Sequence, residues 1–311
     1  MKICFIGLGS IGKMHLINLT KIMRQLQEDM EVHAFRNTNR RLDANVEQLI
    51  DKEIYLEENL HDDYDIAFIT NPTFLHFHSI KLMATKANHL FIEKPIFEDC
   101  HYRIEELGLT ENGVYHVAAP LRFTKVIEKL IELLAGEKIY SIRAICSSYL
   151  PEWRPRSDYR KSYSAKQSEG GGVALDLIHE WDYLTYLFGF PKEVYYLSGK
   201  YSHLDIDSDD LSVYLAVYPD KLLELHLDYF GKYKQRKIEV ITKERRIVGD
   251  FLHHAITWSN GKKHVQIDGL KNDMYVAEME YFLKNVWTNN TSGNNVDYAY
   301  EVLKLALGGE K

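Results

Sequence analysis

Glycines whose spacing could cradle a phosphate stand at the start of the chain. The run Lys2-Ile-Cys-Phe-Ile-Gly7-Leu-Gly9-Ser10-Ile11-Gly12-Lys-Met-His15 passes from an apolar strand-like stretch through a glycine turn into an amphipathic segment that reaches about Leu26. In that context Gly7 permits the tight turn and Gly9 lets backbone N–H groups approach a pyrophosphate with no side chain between. Gly12 lets the following helix pack close to the strand. Gly7, Gly9, Ser10, Ile11 and Gly12 are therefore expected to bind a dinucleotide whose phosphates face the helix N-terminus. The bland alternative is a glycine turn with no ligand; strand before and helix after favour the nucleotide.

In such a site an acidic residue at the end of the second strand accepts from the ribose hydroxyls, whereas a basic one pairs with a 2′-phosphate. Here the second strand ends in Arg36, followed by Asn37, Thr38, Asn39, Arg40 and Arg41, with no carboxylate at the strand end. Arg36 is expected to favour NADP(H), with NAD(H) as the alternative and a solvated basic turn as the reading without a ligand.

A second stretch, Trp153-Arg154-Pro-Arg156-Ser-Asp158-Tyr159-Arg160-Lys161-Ser-Tyr163, combines aromatic surfaces with basic groups. Arginine forks suit bidentate recognition of carboxylate or phosphate, and tryptophan or tyrosine can stack on a sugar or base. Trp153, Arg154, Arg156 and Tyr159 are expected to bind an anionic substrate, against the alternative of a surface loop ordered by Trp153. The acidic run from Asp205 to Asp210 lacks the glycine and terminal glutamate of a calcium loop and reads as a polar entry to a strand.

These groups need elements to hold them. Short apolar runs at 31–36, 64–70, 89–93 and 114–118 read as strands, separated by helical periodicity at 73–87 and 98–107. That alternation predicts a parallel doubly wound sheet. Beyond Pro120 the pattern changes to a helix at 125–134, a strand at 138–149, an irregular segment at 151–168 and a helix at 173–188. Alternating strands follow, with a hairpin of 211–217 and 222–229, and helices at 272–286 and 296–307 close the chain. The expected organisation is α/β: a dinucleotide-binding domain over 1–120 and an α+β domain over 121–311 with a large, mostly antiparallel open sheet.

Composition narrows the class. The 311 residues are 45% apolar and 27% charged, an ordinary globular balance with length for two cores. No apolar run approaches the roughly 18 residues that span a bilayer, and the first strand is no signal peptide, so a cytoplasmic protein with no membrane partner is expected. The cysteines Cys4, Cys100 and Cys146 are scattered, so neither a disulfide framework nor a metal site is expected. A formal charge of −7 argues against nucleic acid as the main partner.

With Gly7-x-Gly9-x-x-Gly12, Asn71-Pro72-Thr73 with His76, Glu93-Lys94-Pro95, and Gly170-Gly-Gly172 leading to Asp176, His179 and Asp182, the chain resembles the glucose-fructose oxidoreductase and inositol dehydrogenase family over nearly its whole length. The resemblance implies an N-terminal Rossmann domain, a C-terminal domain whose open sheet makes a homodimer or homotetramer, and hydride transfer between nicotinamide and a sugar or cyclitol carbon; the partner expected for this chain is a sugar or sugar nucleotide. The resemblance places Asn71, Pro72 and Thr73 beside the nicotinamide with Glu93 and Lys94 at the cofactor, makes Lys94 the lysine that hydrogen-bonds the reacting hydroxyl, and leaves His76 either packed beside the nicotinamide or capping a helix turn. His179 matches the general acid/base and Asp176 the carboxylate that helps hold substrate and histidine. The family spacing puts the histidine four residues after the aspartate; here it is three, and Glu180 takes the fourth place as a competing base and substrate contact. Where many relatives carry Tyr-Asn-x-Arg-Phe, this chain has Ala119-Pro120-Leu121-Arg122-Phe123, leaving Arg122 as the matched substrate position.

The residue types suit the chemistry. Oxidising an alcohol removes a hydroxyl proton as hydride leaves, a task for a base that titrates near neutrality, while an ammonium stabilises the oxygen that is left. Taken singly, Lys94 reads as a solvated strand-end lysine, His179 as a helix histidine with a structural bond, and Asp182 as structural. The expected function is an oxidoreductase acting on a hydroxyl or ketone of a sugar derivative, acidic or nucleotide-linked. A non-catalytic dinucleotide sensor of the same fold is the rival, and reduction of a non-sugar ligand a third reading.

Overall fold

The computed structural model describes residues 1–259, 263–270 and 272–309. The chain divides into two compact units, Met1–Ala119 with Asn272–Glu301, and Pro120–Lys271 with Val302–Lys311. The segment from Asn272 to Glu301 thus belongs with the first unit and not with the second domain, where its position in the chain had placed it.

In the first unit the strands are β1 Lys2–Ile6, β2 Glu31–Phe35, β3 Lys52–Ile54, β4 Tyr64–Ile69, β5 Ala87–Ile92 and β6 Tyr115–Val117, interleaved with α1 Ser10–Leu26, the short α2 Ala44–Glu47 and α3 His76–Ala84. Among the described residues these strands form one parallel sheet in the order β3-β2-β1-β4-β5-β6. Chain order reverses direction at β1, so a crevice opens beyond the carboxyl ends of β1 and β4, the place where doubly wound sheets bind ligands. Phe5, Phe68 and Phe91, on adjacent strands, stack with centroids 4.5 Å and 5.3 Å apart. The helix α7 Asp273–Thr288 brings buried Met279, Phe282 and Leu283 to the same cluster. Asn18 and Asn272 exchange reciprocal amide bonds of 3.1 Å and 2.9 Å, which fixes the start of that returning segment.

The helix expected at 98–107 is absent except for a single 3-10 turn at Ile104–Leu107. The Asp99 carboxylate accepts from the His101 N–H at 2.8 Å, and Tyr102 donates its hydroxyl to Glu98 while stacking on Phe77. Local side-chain bonds of this kind compete with the helical ladder and hold the segment irregular.

The second unit contains α4 Lys125–Leu134, β7 Ile139–Ser147, α5 Val173–Asp176, α6 His179–Phe188, and the strands β8 Glu193–Gly199, β9 Leu211–Val217, β10 Leu222–Asp228, β11 Gln235–Thr242, β12 Arg246–Asp250, β13 Ala255–Trp258 and β14 Lys263–Gln266. Among the described residues the strands make one sheet in the order β14-β13-β12-β11-β7-β10-β9-β8, antiparallel except where β10 runs beside β7. Period-two alternation buries Ile142, Ala144, Leu223, Leu225, Ile238 and Val240 on one face, and Trp181 of α6 meets Tyr214 edge-on at 5.2 Å. The other face exposes Tyr195, Leu197 and Leu215. The last helix is α8 Val296–Ala306; among the described residues, no helix is long and apolar enough to cross a membrane.

The single helix expected over 173–188 is broken. Between α5 and α6, Ile178 N bonds Leu175 O at 3.4 Å and Glu180 N bonds Leu177 O at 3.1 Å, an i→i+3 pattern with a tighter pitch. Residues three apart eclipse in such a turn. His179 therefore stays on the side of Asp176, and the next residue, Glu180, rotates away into the core.

Candidate functional site

The glycine turn is built as its spacing requires. Gly7 takes a φ of +89°, and a Cβ there would lie 2.9 Å from the Asn71 Cα. A Cβ on Gly12 would come within 2.6 Å of both Gly7 O and Thr70 Oγ1, so α1 reaches this close to the sheet only because position 12 has no side chain. Thr70, which sequence reasoning passed over, clamps the turn from the end of β4 by donating to Gly7 O at 2.6 Å. Around Gly9, by contrast, a Cβ would meet nothing within 4 Å. Gly9 is the N-cap of α1, no side chain caps it, and the first turn, with Ser10 and Ile11, carries no acidic residue. An uncapped N-terminus of a 17-residue helix with open space before it fits a phosphate group: its N–H groups and the positive end of its dipole await an anion. Asn71 adds a buried Oδ1 with no partner among the described residues, while its Nδ2 is held by Ser79 at 2.8 Å.

Pro72 and Thr73 continue that loop into a 3-10 turn at Thr73–Leu75. His76 does not face a ligand. It is buried, with Nδ1 at 3.0 Å from Pro95 O and 3.2 Å from Ile96 O, and Nε2 at 3.0 Å from Asn71 O. Burial pushes its pKa down against the opposing pull of those carbonyls, and the ring lies between the loop after β4 and the loop after β5. Both ring nitrogens face backbone carbonyls, so His76 presents no spare polar atom and any role beside a cofactor is one of packing.

Glu93 and Lys94 lie at the end of β5, both partly exposed. Oε1 of Glu93 takes a 2.6 Å hydrogen bond from His15 Nε2, and Oε2 takes one of 3.2 Å from the Lys94 N–H. Burial pushes the Glu93 carboxyl up, but the His15 bond, with the neighbouring His15 and Lys94, carries it below its usual range. Glu93 is thereby an anchor for the Lys94 backbone. His15 follows Gly12 by three residues, the same helix face, and that spacing was a readable signal.

Arg36 differs most from expectation. Its Nη1 lies 2.6 Å from Glu53 Oε2, its Nη2 donates to Arg40 O, and the side chain is only 8% exposed. The strand end does have a carboxylate, supplied by β3, a three-residue strand with no apolar run to announce it.

In the second unit, Asp176 accepts a 2.6 Å bond from the buried Tyr229 hydroxyl. The charge of Asp176, with burial, drives the pKa of Tyr163 far up. Trp153 meets Tyr229 edge-on at 5.3 Å and donates Nε1 to Ser148 Oγ at 2.9 Å. The Arg154 guanidinium sits 5.9 Å from the Tyr163 ring centroid. Trp153, Arg154, Tyr159 and Lys161 line a cavity of about 190 Å³ with Asp158 and Ser162, while Arg156 is exposed. The Tyr159 hydroxyl is engaged by the Asp205 N–H at 3.1 Å, which leaves its ring for contact. Tyr163 ends the aromatic stretch marked in the sequence, whereas Tyr229 was not separated from the core tyrosines by any sequence signal.

Two expectations in this unit are corrected. Glu180 is fully buried with Arg236 Nε 2.7 Å from Oε1, so the tightened turn has removed it from any substrate. Burial raises its pKa against the opposing pull of Arg236. Arg122 makes a bidentate pair with Asp182, Nε to Oδ2 at 2.9 Å and Nη2 to Oδ1 at 2.7 Å, and lies 4.9 Å from the Tyr186 ring. Its fork is occupied by a nearly buried carboxylate, so it braces α6. His179, the first residue of α6, remains partly exposed.

The chain is similar to known proteins in sequence and fold. A family model described as an oxidoreductase family with an NAD-binding Rossmann fold matches residues 1–108, and the GFO/IDH/MocA C-terminal domain matches 127–248. An uncharacterised oxidoreductase, YrbE of Bacillus subtilis, is 26% identical over 199 residues, 62% of this chain and 55% of the relative. The chain thus spans about half the length of that relative. Levoglucosan dehydrogenase, solved with NADH and levoglucosan, superposes with a TM-score of 0.84 at 17% identity, covering 99% of this chain and 95% of that one. UDP-N-acetylglucosamine 3-dehydrogenase of Acidithiobacillus ferrooxidans superposes with a TM-score of 0.77 at 21% identity and the same coverage.

Proposed function

The chain belongs to the GFO/IDH/MocA oxidoreductase family, and from that premise we propose that it is a nicotinamide-dependent oxidoreductase acting on a hydroxyl or ketone carbon of a sugar derivative, acidic or nucleotide-linked. The observation that carries this reading is the uncapped N-terminus of α1 opening on Gly9, with Lys94 held at the end of β5 in the same unit. Neighbours of the same fold solved with NADH and a sugar, or named for a nucleotide-linked sugar, support the substrate class.

Gly7, Gly9, Ser10, Ile11 and Gly12 hold the pyrophosphate, and Asn71, Pro72 and Thr73 line the nicotinamide side. The choice between NADP(H) and NAD(H) falls to Arg36 and its partner Glu53. When bound, the nicotinamide accepts or delivers the hydride. The Lys94 ammonium stabilises the oxygen whose charge grows in the transition state. His179 takes or returns the hydroxyl proton, a histidine being suited to this near neutrality. Asp176, steadied by Tyr229, orients that side of the site, and Trp153, Arg154, Arg156 and Tyr159 receive the anionic part of the substrate. The exposed face with Tyr195, Leu197 and Leu215 is the surface through which we expect a homodimer or homotetramer.

The test is to offer the protein NAD⁺ and NADP⁺ with neutral sugars, sugar acids and nucleotide sugars, following nicotinamide absorbance. Turnover lost in a Lys94→Ala variant supports the enzyme. Dinucleotide binding with no turnover of any of these would favour the non-catalytic sensor, which the joint presence of Lys94, Asp176 and His179 argues against.

A further inference from the structure

We propose that Glu53, on β3, reads the adenosine ribose of the dinucleotide and sets a preference for NAD(H) by keeping Arg36 from a 2′-phosphate. The inference rests on the dinucleotide reading of the glycine turn and goes beyond it by naming the residue that selects the cofactor.

The backbone places the pair. Gly7 N donates to Phe35 O at 3.0 Å, so the phosphate turn and the end of β2 are one hydrogen bond apart. The next residue, Arg36, occupies the position whose side chain meets the ribose in this fold. Its N–H donates to Ile54 O at 2.9 Å, extending the parallel pairing of Ala34 with Glu53 and Phe35 with Ile54 by one step. That register brings the Glu53 carboxylate to the same strand end.

The side chains then divide the chemistry. Arg36 gives Nη1 to Glu53 and Nη2 to a backbone carbonyl, and at 8% exposure it presents little of its fork to an incoming anion. Glu53 is 29% exposed; Oε2 receives Arg36 and the Tyr55 hydroxyl, while Oε1 has no partner among the described residues. A carboxylate oxygen with spare acceptor capacity matches the two hydroxyl donors of an unphosphorylated ribose. A 2′-phosphate would bring roughly −1.5 to −2 charge, as phosphate monoesters do near neutrality, toward that same carboxylate. To receive it, Arg36 would have to leave Glu53 and strand a partly buried anion beside a second one. The exposed Arg40 and Arg41 offset some of this repulsion, but they follow the strand and do not release Arg36.

The test titrates NADH and NADPH into the full chain by fluorescence. The parent should bind NADH at least about tenfold tighter, one strong hydrogen bond's worth of discrimination. Glu53→Gln should weaken NADH, strengthen NADPH and move the ratio by about tenfold or more toward NADPH. Should that variant fail to fold, the double variant Arg36→Gln with Glu53→Gln replaces both charges with amides of similar shape, and its ratio should collapse toward one. Equal affinities in the parent, tighter NADPH, or a ratio unmoved by the variants would overturn the proposal while leaving dinucleotide binding intact. Failure of the parent to bind either dinucleotide would overturn the reading of the glycine turn, and this proposal with it.

Discussion

His15 Nε2 lies 2.6 Å from Oε1 of Glu93, joining the second turn of α1 to the end of β5 across the crevice of the first unit. The pair connects the helix after the glycine turn to the residue before Lys94, so one contact ties together two segments to which the proposed chemistry is assigned. His15 is fully buried and the Glu93 side chain only 12% exposed, so breaking the pair from one side leaves a largely buried carboxylate without its histidine.

His15→Ala should therefore destabilise the protein by roughly 3 to 5 kcal/mol, the range for severing one side of a buried pair. The carboxyl of Glu93 is depressed in the folded state, so its contribution is fully present above the unfolded carboxylate value, about 4.3, and is lost as pH falls through the lower folded value. Urea melts from pH 7 to pH 3 should show a shallower acid loss for Glu93→Gln than for the parent. Parallel acid limbs would show that another carboxylate governs it.

Gly9 and Gly12 should respond oppositely to the same substitution. Gly12→Ala forces a Cβ to 2.6 Å from Gly7 O and Thr70 Oγ1 and should cost about 1 to 3 kcal/mol or more of stability. Gly9→Ala meets no protein atom within 4 Å and should melt within about 0.5 kcal/mol of the parent. It should nonetheless lose about tenfold or more in dinucleotide affinity, because the methyl group occupies the approach to the helix N-terminus. Unchanged affinity in Gly9→Ala would place the phosphates elsewhere.

Arg122→Ala should act on stability and not on substrate. Its partner Asp182 is nearly buried, so loss of the fork should lower stability by roughly 3 kcal/mol or more, with KM unchanged below the melting range. A raised KM at full folding would return Arg122 to the substrate.

Much of this site could be read along the chain, and what could not has local causes. The glycine turn, the helix Lys125–Leu134 and the hairpin of β9 and β10 are written in short-range chemistry: φ > 0 at Gly7, a Thr124 cap, alternation on either side of a four-residue turn. Glu53 was invisible because Lys52–Ile54 pairs through its backbone with no apolar pattern to mark it. The break at Leu177–Ile178 escaped a periodicity reading because those residues are as apolar as a continuous helix would need, and only the buried Glu180–Arg236 pair reveals which way the turn rotates. The return of residues 272–301 to the first unit depends on Met279, Phe282 and Leu283 meeting side chains some two hundred residues away, a match no local window contains.

Arg154 and Arg156 should matter only for an anionic substrate. Replacing both with Ala should raise KM for an acidic or phosphate-bearing sugar by about tenfold or more, one charge-assisted bond's worth, with dinucleotide affinity unchanged. Equal KM values in parent and variant would make this cavity a structural feature of the loop.

In the proposed mechanism His179, and not its neighbour Glu180, exchanges the substrate proton while Lys94 stabilises the oxygen. The direct measurement is single-turnover hydride transfer in His179→Gln and Glu180→Gln, each followed below its own melting range. Loss of a general acid/base group typically slows the step by about 10²- to 10⁴-fold, and His179→Gln should fall there. Glu180→Gln should lose stability, because Arg236 is left without its buried partner, yet transfer hydride at nearly the parent rate. A parent-like rate in His179→Gln together with a collapse in folded Glu180→Gln would move the proton transfer from His179 to Glu180.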